Sequence, residues 1–293
     1  MCRWMAWFGQ PLPLEELLFK TQHGIVDQAL HARMGAEPTN GDGFGVGWYD
    51  ALGGGPGVYR SVAPAWSDPN LRELAAHVAS PLFLAHVRAA IGSPVQETNC
   101  HPFRRGRWLF VHNGYLEGFR ALRRDLMLAV APELFADIHG STDTEVLFHL
   151  ALTLGLEEDP IAAMERTVGL VEDYAGRHGI EDAVQGSFGI SDGETLWAVR
   201  YASNGHARSL FVSADVDTIR DLHRDNPRLQ QLGADDRVIV SEPFSDLLGL
   251  WEPVDESSAL TVRRGGVCEQ RPFLPDRAGA VAPASGAPDA VAG

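Results

Sequence analysis

An α+β layered domain is the fold class this sequence predicts, and three observations predict it. Short apolar strands fall into hairpin-like pairs, helical stretches are grouped between two sets of strands, and no regular strand-helix alternation runs through the chain. Phe44 to Tyr49, Leu82 to Val87 and Arg107 to His112 read as strands, each bounded by Gly, Pro or charged residues. Two helices follow, over Leu116 to about Val130 and over Asp143 to Leu154. The second carries Leu147, Leu150, Ala151 and Leu154 on one core-facing stripe. Pro160 opens another helix reaching about Gly176. Gly186 to Ile190 and Leu196 to Tyr201 flank Ser191-Asp192-Gly193 as a hairpin, and strands return at Leu210 to Ser213 and Val238 to Ser241. From Arg277 to Gly293 the chain is rich in Ala, Pro and Gly without periodicity, which predicts a disordered tail over 277–293.

Composition bounds the function. With 293 residues, 45% hydrophobic and 9% aromatic, the chain can bury a sizeable core. It has neither an 18-residue apolar run nor a basic segment leading into an apolar one, so the expected location is cytoplasmic with no membrane partner. A net charge of −15, from 24 basic and 39 acidic residues, opposes binding to nucleic acid phosphates, which leaves a small molecule as the expected partner. Arg104, Arg105 and Arg107 form a short basic cluster that a solvated hairpin turn explains. The three cysteines, Cys2, Cys100 and Cys268, include no CxxC pair, which argues against a disulfide framework or a structural zinc site and is compatible with a free reactive thiol.

Cys2 is the first of the chemical signals. If Met1 is removed, as a small residue at position 2 normally permits, Cys2 carries a thiol and a free α-amine on one residue. A thiol of pKa about 8.5 is little ionised at neutral pH, whereas an α-amine of pKa about 7.7 to 8.0 can accept its proton. The segment Asn40-Gly41-Asp42-Gly43-Phe44-Gly45-Val46-Gly47-Trp48 has the glycines for positive φ and close backbone approach, but neither the spacing nor the following helix of a phosphate loop. In His86-Val87-Arg88, a guanidinium at a strand end either pairs a structural acid or grips a carboxylate through a two-point fork. In His112-Asn113-Gly114, an apolar strand breaks into Asn-Gly, a common turn, although the same pair could aim an amide and a backbone N–H at an oxyanion. Thr142 to Glu145 reads as a capping box that places Asp143 in a first helical turn, where an ionised carboxylate is favoured and could receive an ammonium. His86, His101 and His112 could suggest a metal with Cys2 or Cys100. Nothing in the sequence places them together, so no metal site is expected.

In this order, Cys2, NGDGFGVGW, HVR, HNG and TDTE resemble the class II glutamine amidotransferases, the family with an N-terminal cysteine nucleophile. The chain most resembles the stand-alone members, including those that hydrolyse γ-glutamyl amides. Members that feed a sugar or nucleotide synthase commonly carry Trp after the Arg and Thr-His-Gly beyond, where this chain has Ala89 and Ile91-Gly92-Ser93-Pro94. The resemblance implies an N-terminal nucleophile hydrolase fold, a four-layer αββα sandwich with two stacked antiparallel sheets, over a glutamine amidotransferase domain at 2–276.

The same resemblance implies roles for individual residues. Cys2 is the expected nucleophile, its own amine the base, and Asn113 with Gly114 the oxyanion hole. Arg88 is expected on the substrate α-carboxylate and Asp143 on its α-ammonium. The implied reaction is hydrolysis of the γ-amide of glutamine or a γ-glutamyl compound through a thioester, with no metal or organic cofactor. Two alternatives stand beside it: a glutaminase subunit supplying ammonia to a separate synthase partner, or a silent γ-glutamyl-binding protein if Met1 is retained.

Overall fold

The computed structural model describes residues 2–34, 38–50, 53–90 and 92–277. In chain order the elements are β1 (Arg3–Pro13), α1 (Leu14–Leu18), α2 (Ile25–His31), β2 (Phe44–Trp48), β3 (Gly57–Ser61), α3 (Pro69–His77), β4 (Ala79–Val87), β5 (Phe103–Arg105) and β6 (Trp108–Leu116). They continue with α4 (Phe119–Leu128), α5 (Pro132–Phe135), α6 (Asp143–Thr153), α7 (Pro160–Arg177), β7 (Val184–Ser191), β8 (Leu196–Ala202) and β9 (Phe211–Ser213). The last are α8 (Val216–Leu222), α9 (Pro227–Gln230), β10 (Arg237–Val240), β11 (Trp251–Pro253), β12 (Ser258–Arg263) and β13 (Val267–Pro272).

Among the described residues the strands form two sheets, ordered β11-β9-β10-β1-β4-β2-β3 and β13-β12-β8-β7-β6-β5, with the neighbouring strands antiparallel. Side-chain alternation stacks them. Trp4, Ala6 and Phe8 of β1 pack with Leu109 and Val111 of β6 and with Ala198 of β8 to make the core between the sheets. The intervening Met5 and Trp7 turn outward against Leu14 and Leu18 of α1 and Ile25 of α2. On the other side Trp108 and Phe110 face Leu122 of α4, Phe148 of α6 and Val168 of α7. The result is the four-layer αββα sandwich. Each large apolar side chain buried this way contributes about 1.5–3 kcal/mol.

Several boundaries differ from the sequence expectation, for local reasons. The first helix after β6 starts at Phe119 rather than Leu116, because Leu116 still pairs with Val184 and Gly118 makes the turn at φ +65°. Asn113-Gly114 is not a turn: β6 runs through both, opposite Ser187 and Gly186 of β7. Arg104 and Arg105 do lie in a β5–β6 hairpin that turns at Gly106. The expected disordered tail falls mainly on residues 278–293, outside the described residues. Its first residue, Arg277, is held by the buried Glu172 carboxylate at 3.0 Å. Among the described residues no helix is long and apolar enough to cross a membrane.

Candidate active site

Cys2 immediately precedes β1, which lies between β10 and β4 in the middle of its sheet. Its thiol is half-buried and donates to the Ala89 carbonyl across 3.6 Å. Its own carbonyl accepts from Arg3 Nη1 at 3.0 Å, and Arg3 Nε in turn is paired with Glu242 at 3.0 Å. Burial pushes the Cys2 thiol up, against the opposing influence of a backbone hydrogen bond at Ala89 and the positive charge of Arg88. A thiol so placed stays protonated until a base takes its proton.

Arg88 follows β4, and its backbone is clamped by the glycine-rich segment: Arg88 N donates to Gly43 O and Asp42 N donates to Arg88 O. Gly43 has φ +114°, and a Cβ there would lie 2.6 Å from Cys100 Sγ, so only glycine fits. The Arg88 side chain is buried, donating to Ser93 Oγ at 2.7 Å, Pro94 O at 3.1 Å and Asp42 O at 3.4 Å. All three acceptors are uncharged. Among the described residues no carboxylate is ion-paired with Arg88, so of the two sequence readings the structural acid is not what holds it.

Asn113 is buried with its Oδ1 unpartnered. Gly114 sits where a Cβ would come within 1.9 Å of Gln185 O and 2.4 Å of His112 Nε2, so the close approach of β6 and β7 dictates glycine. Asp143 opens α6, its Oδ2 accepting from Leu116 N at 2.9 Å and its Oδ1 from Thr144 N at 2.7 Å. Thr142 caps the helix through Glu145 N, as expected. Glu145, however, does not reach back to Thr142. It accepts instead from the amides of His139 and Gly140, which draws the preceding loop onto the helix.

Cys2, Arg88, Asn113, Gly114 and Asp143 line one cavity, joined by Ser93, Thr142, Thr144, His101, His112, Tyr115 and Arg208. Sequence reasoning missed the last of these and the Arg3–Glu242 pair that steadies Cys2, and no motif or periodicity marks either. The histidines correct another expectation, because the structure does bring them together. The His86 and His101 rings lie 3.9 Å apart, and His86 Nε2 donates to the His112 carbonyl. His112 Nδ1 lies 3.0 Å from Thr144 Oγ1, which bonds Asp143 Oδ1 at 3.2 Å. Burial pushes His86 down to about 3, His101 well below the usual imidazole range and His112 down as well, so the cluster is uncharged at neutral pH. Among the described residues no group of three or more His, Cys, Asp or Glu is arranged to hold a metal ion.

Known proteins resemble this chain along most of its length. The sequence pattern of the class II glutamine amidotransferases matches residues 20–269, a span that contains Arg88, Asn113, Gly114 and Asp143 and begins after Cys2. The chain is 34% identical to DUG3, a probable glutamine amidotransferase of Saccharomyces cerevisiae, over 90% of this chain and 82% of that protein. It is 29% identical to the gamma-glutamyl-hercynylcysteine sulfoxide hydrolase of Mycolicibacterium smegmatis, over 90% of this chain and 96% of that one. Among solved structures, a glutamine aminotransferase class-II domain protein from Silicibacter pomeroyi superposes with TM-score 0.69 at 36% identity, covering 94% of this chain and all of the other.

Proposed function

The chain belongs to the class II glutamine amidotransferases, and on that premise we propose that it hydrolyses a γ-glutamyl amide through a thioester on Cys2, formed after Met1 is removed. The observation that carries this reading is the meeting of five residues from four separate segments in one cavity. The catalytic domain runs over 2–276.

In this reading the glutamyl head places its α-carboxylate on Arg88 and its α-ammonium on Asp143. Arg88 suits the task because its present acceptors are neutral, so an incoming carboxylate gains a charge-assisted fork without displacing an ion pair. A site that pairs both charges of a free glutamyl head disfavours substrates lacking either. The scissile carbonyl then lies by Cys2. The Cys2 α-amine takes the thiol proton as sulfur attacks, which suits a thiol whose burial keeps it protonated at rest. Asn113 and the Gly114 N–H receive the developing oxyanion. Collapse breaks the C–N bond, the ammonium form of Cys2 returns its proton to the leaving amine, and water cleaves the thioester to free glutamate and thiol.

The test is intact mass before and after treatment with a glutamine-like diazoketone, with peptide mapping. Loss of Met1 and one adduct at Cys2 is expected, and Cys2→Ala is expected to lose both the adduct and turnover with the fold unchanged by circular dichroism. Full turnover by Cys2→Ala would overturn the mechanism.

A further inference from the structure

The leaving-group side of the cavity carries a cation that the glutamyl head does not use. β1 is flanked by β4 on one side and by β10 and then β9 on the other. In the antiparallel registers Arg3 stands opposite Val87, Met5 opposite Val240, and Val240 opposite Phe211. The end of β4 and the start of β9 therefore reach the same sheet edge as Cys2, on opposite flanks of it. Arg88 leaves β4 on one flank, and Arg208 leads into β9 on the other.

The Arg208 backbone is held firmly and its side chain is not. Arg200 Nε donates to Arg208 O at 2.9 Å, Gln185 Nε2 to His206 O at 3.0 Å, and Ser209 Oγ to Ser241 O at 2.8 Å. The Arg208 guanidinium, by contrast, has no hydrogen bond or ion pair among the described residues, and its buried Nε is unpartnered. Its recorded side-chain contact is the Tyr115 ring, 5.9 Å from the guanidinium carbon. Burial and the charge of Arg3 disfavour its charged form. A half-buried cation without a counter-ion among the described residues, lining the cavity that holds Cys2, suits an anionic group.

We propose that Arg208 selects γ-glutamyl amides whose leaving amine carries a carboxylate, that is γ-glutamyl amino acids and γ-glutamyl peptides, over glutamine. This rests on the γ-glutamyl hydrolase reading above. With the glutamyl head on Arg88 and Asp143 and the scissile bond at Cys2, the leaving group extends across β1 toward Arg208. Ammonia has nothing to offer that guanidinium, whereas the carboxylate of an amino acid product matches its planar fork.

The experiment compares kcat/KM for γ-glutamylglycine and γ-glutamylglycinamide, which differ only in the terminal charge, in the wild type, Arg208→Gln and Arg208→Lys. The wild type is expected to prefer the acid by about 10- to 100-fold. Arg208→Gln should bring the ratio near one by slowing the acid alone, and Arg208→Lys should keep part of the preference. No preference in the wild type, an unchanged ratio in Arg208→Gln, or an equal loss on both substrates overturns the proposal. A wild type that cleaves neither compound nor glutamine overturns the hydrolase reading itself, and the role of Arg208 with it.

Discussion

Two buried polar clusters lie behind Cys2, and they are built on opposite electrostatic plans. On one side Glu242 is buried among donors: Arg3 Nε at 3.0 Å, His23 Nε2 at 2.6 Å, and the amides of Arg33 and Met34 at 2.8 and 2.9 Å. Burial alone would raise its carboxyl, but these donors prevail and hold it below the usual carboxylate range. On the other side His86, His101 and His112 pack ring against ring and backbone, and burial keeps them neutral. Both His101 ring nitrogens lack a partner among the described residues. The contrast teaches a division of labour. A charge cluster built on Glu242 can fix the chain start by gripping the Cys2 carbonyl through Arg3, while a neutral cluster borders the cavity without adding a fixed charge beside Arg88 and Asp143.

Breaking the charged cluster should have the largest effect. Glu242→Gln leaves Arg3 buried opposite a neutral amide, with an expected loss of about 3–5 kcal/mol in urea unfolding. Turnover should fall with it, because Arg3 loses the partner that aims it at the Cys2 carbonyl. A loss below about 1 kcal/mol would show that the pair is solvent-relaxed and that the contrast is false.

The two clusters should also fail in different pH windows. An imidazole whose folded pKa is depressed is neutral in the fold and protonated in the unfolded chain below about pH 6.5, so acid draws the protein toward unfolding. His86 thus contributes stability that is fully present above about pH 6.5 and is lost as pH falls toward its folded value of about 3, at up to about 1.4 kcal/mol per pH unit. Glu242, with its folded pKa lowered, contributes stability that is fully present above its unfolded value of about 4.3 and is lost only below it. Urea midpoints between pH 6.5 and 5 should therefore fall as the buried imidazoles of lowered pKa, His149 together with the cluster, gain protons on unfolding. A flat response there would mean that the imidazoles titrate normally.

The smallest expected effect sharpens the contrast at one residue. His101→Met removes two unpartnered ring nitrogens at similar volume, so stability at pH 7 should change by less than about 1.5 kcal/mol. The same variant should flatten the slope between pH 6.5 and 5. A large loss at pH 7 would instead assign His101 a polar partner.

Much of this molecule is visible in its sequence, and the exceptions have physical causes. Helices α6 and α7 and the β7–β8 hairpin are legible because each has a local signal: Thr142 as cap, Pro160 at the first turn, Ser191-Asp192-Gly193 between two apolar runs. β1 is the central strand beside Cys2, yet it has no alternating pattern to read. Both of its faces are buried, Trp4 and Ala6 against the other sheet and Met5 and Trp7 against helices, so its apolar run is continuous. Asn113-Gly114 has the composition of a turn, and only pairing with β7 makes it strand, because the energy of that ladder exceeds a local preference.

Local chemistry by itself determined the residue types of the site: a thiol next to the chain start, a guanidinium after an apolar strand, an amide beside a glycine, and a carboxylate in a first helical turn. Tertiary structure alone decided that these meet in one cavity, that Arg3 finds Glu242 across 239 positions of sequence, and that Arg208 stands on the far flank of β1 without a counter-ion among the described residues. The reason is that periodicity and capping are settled within a few residues, whereas a charge acquires or lacks its partner only when distant strands take their places in a sheet.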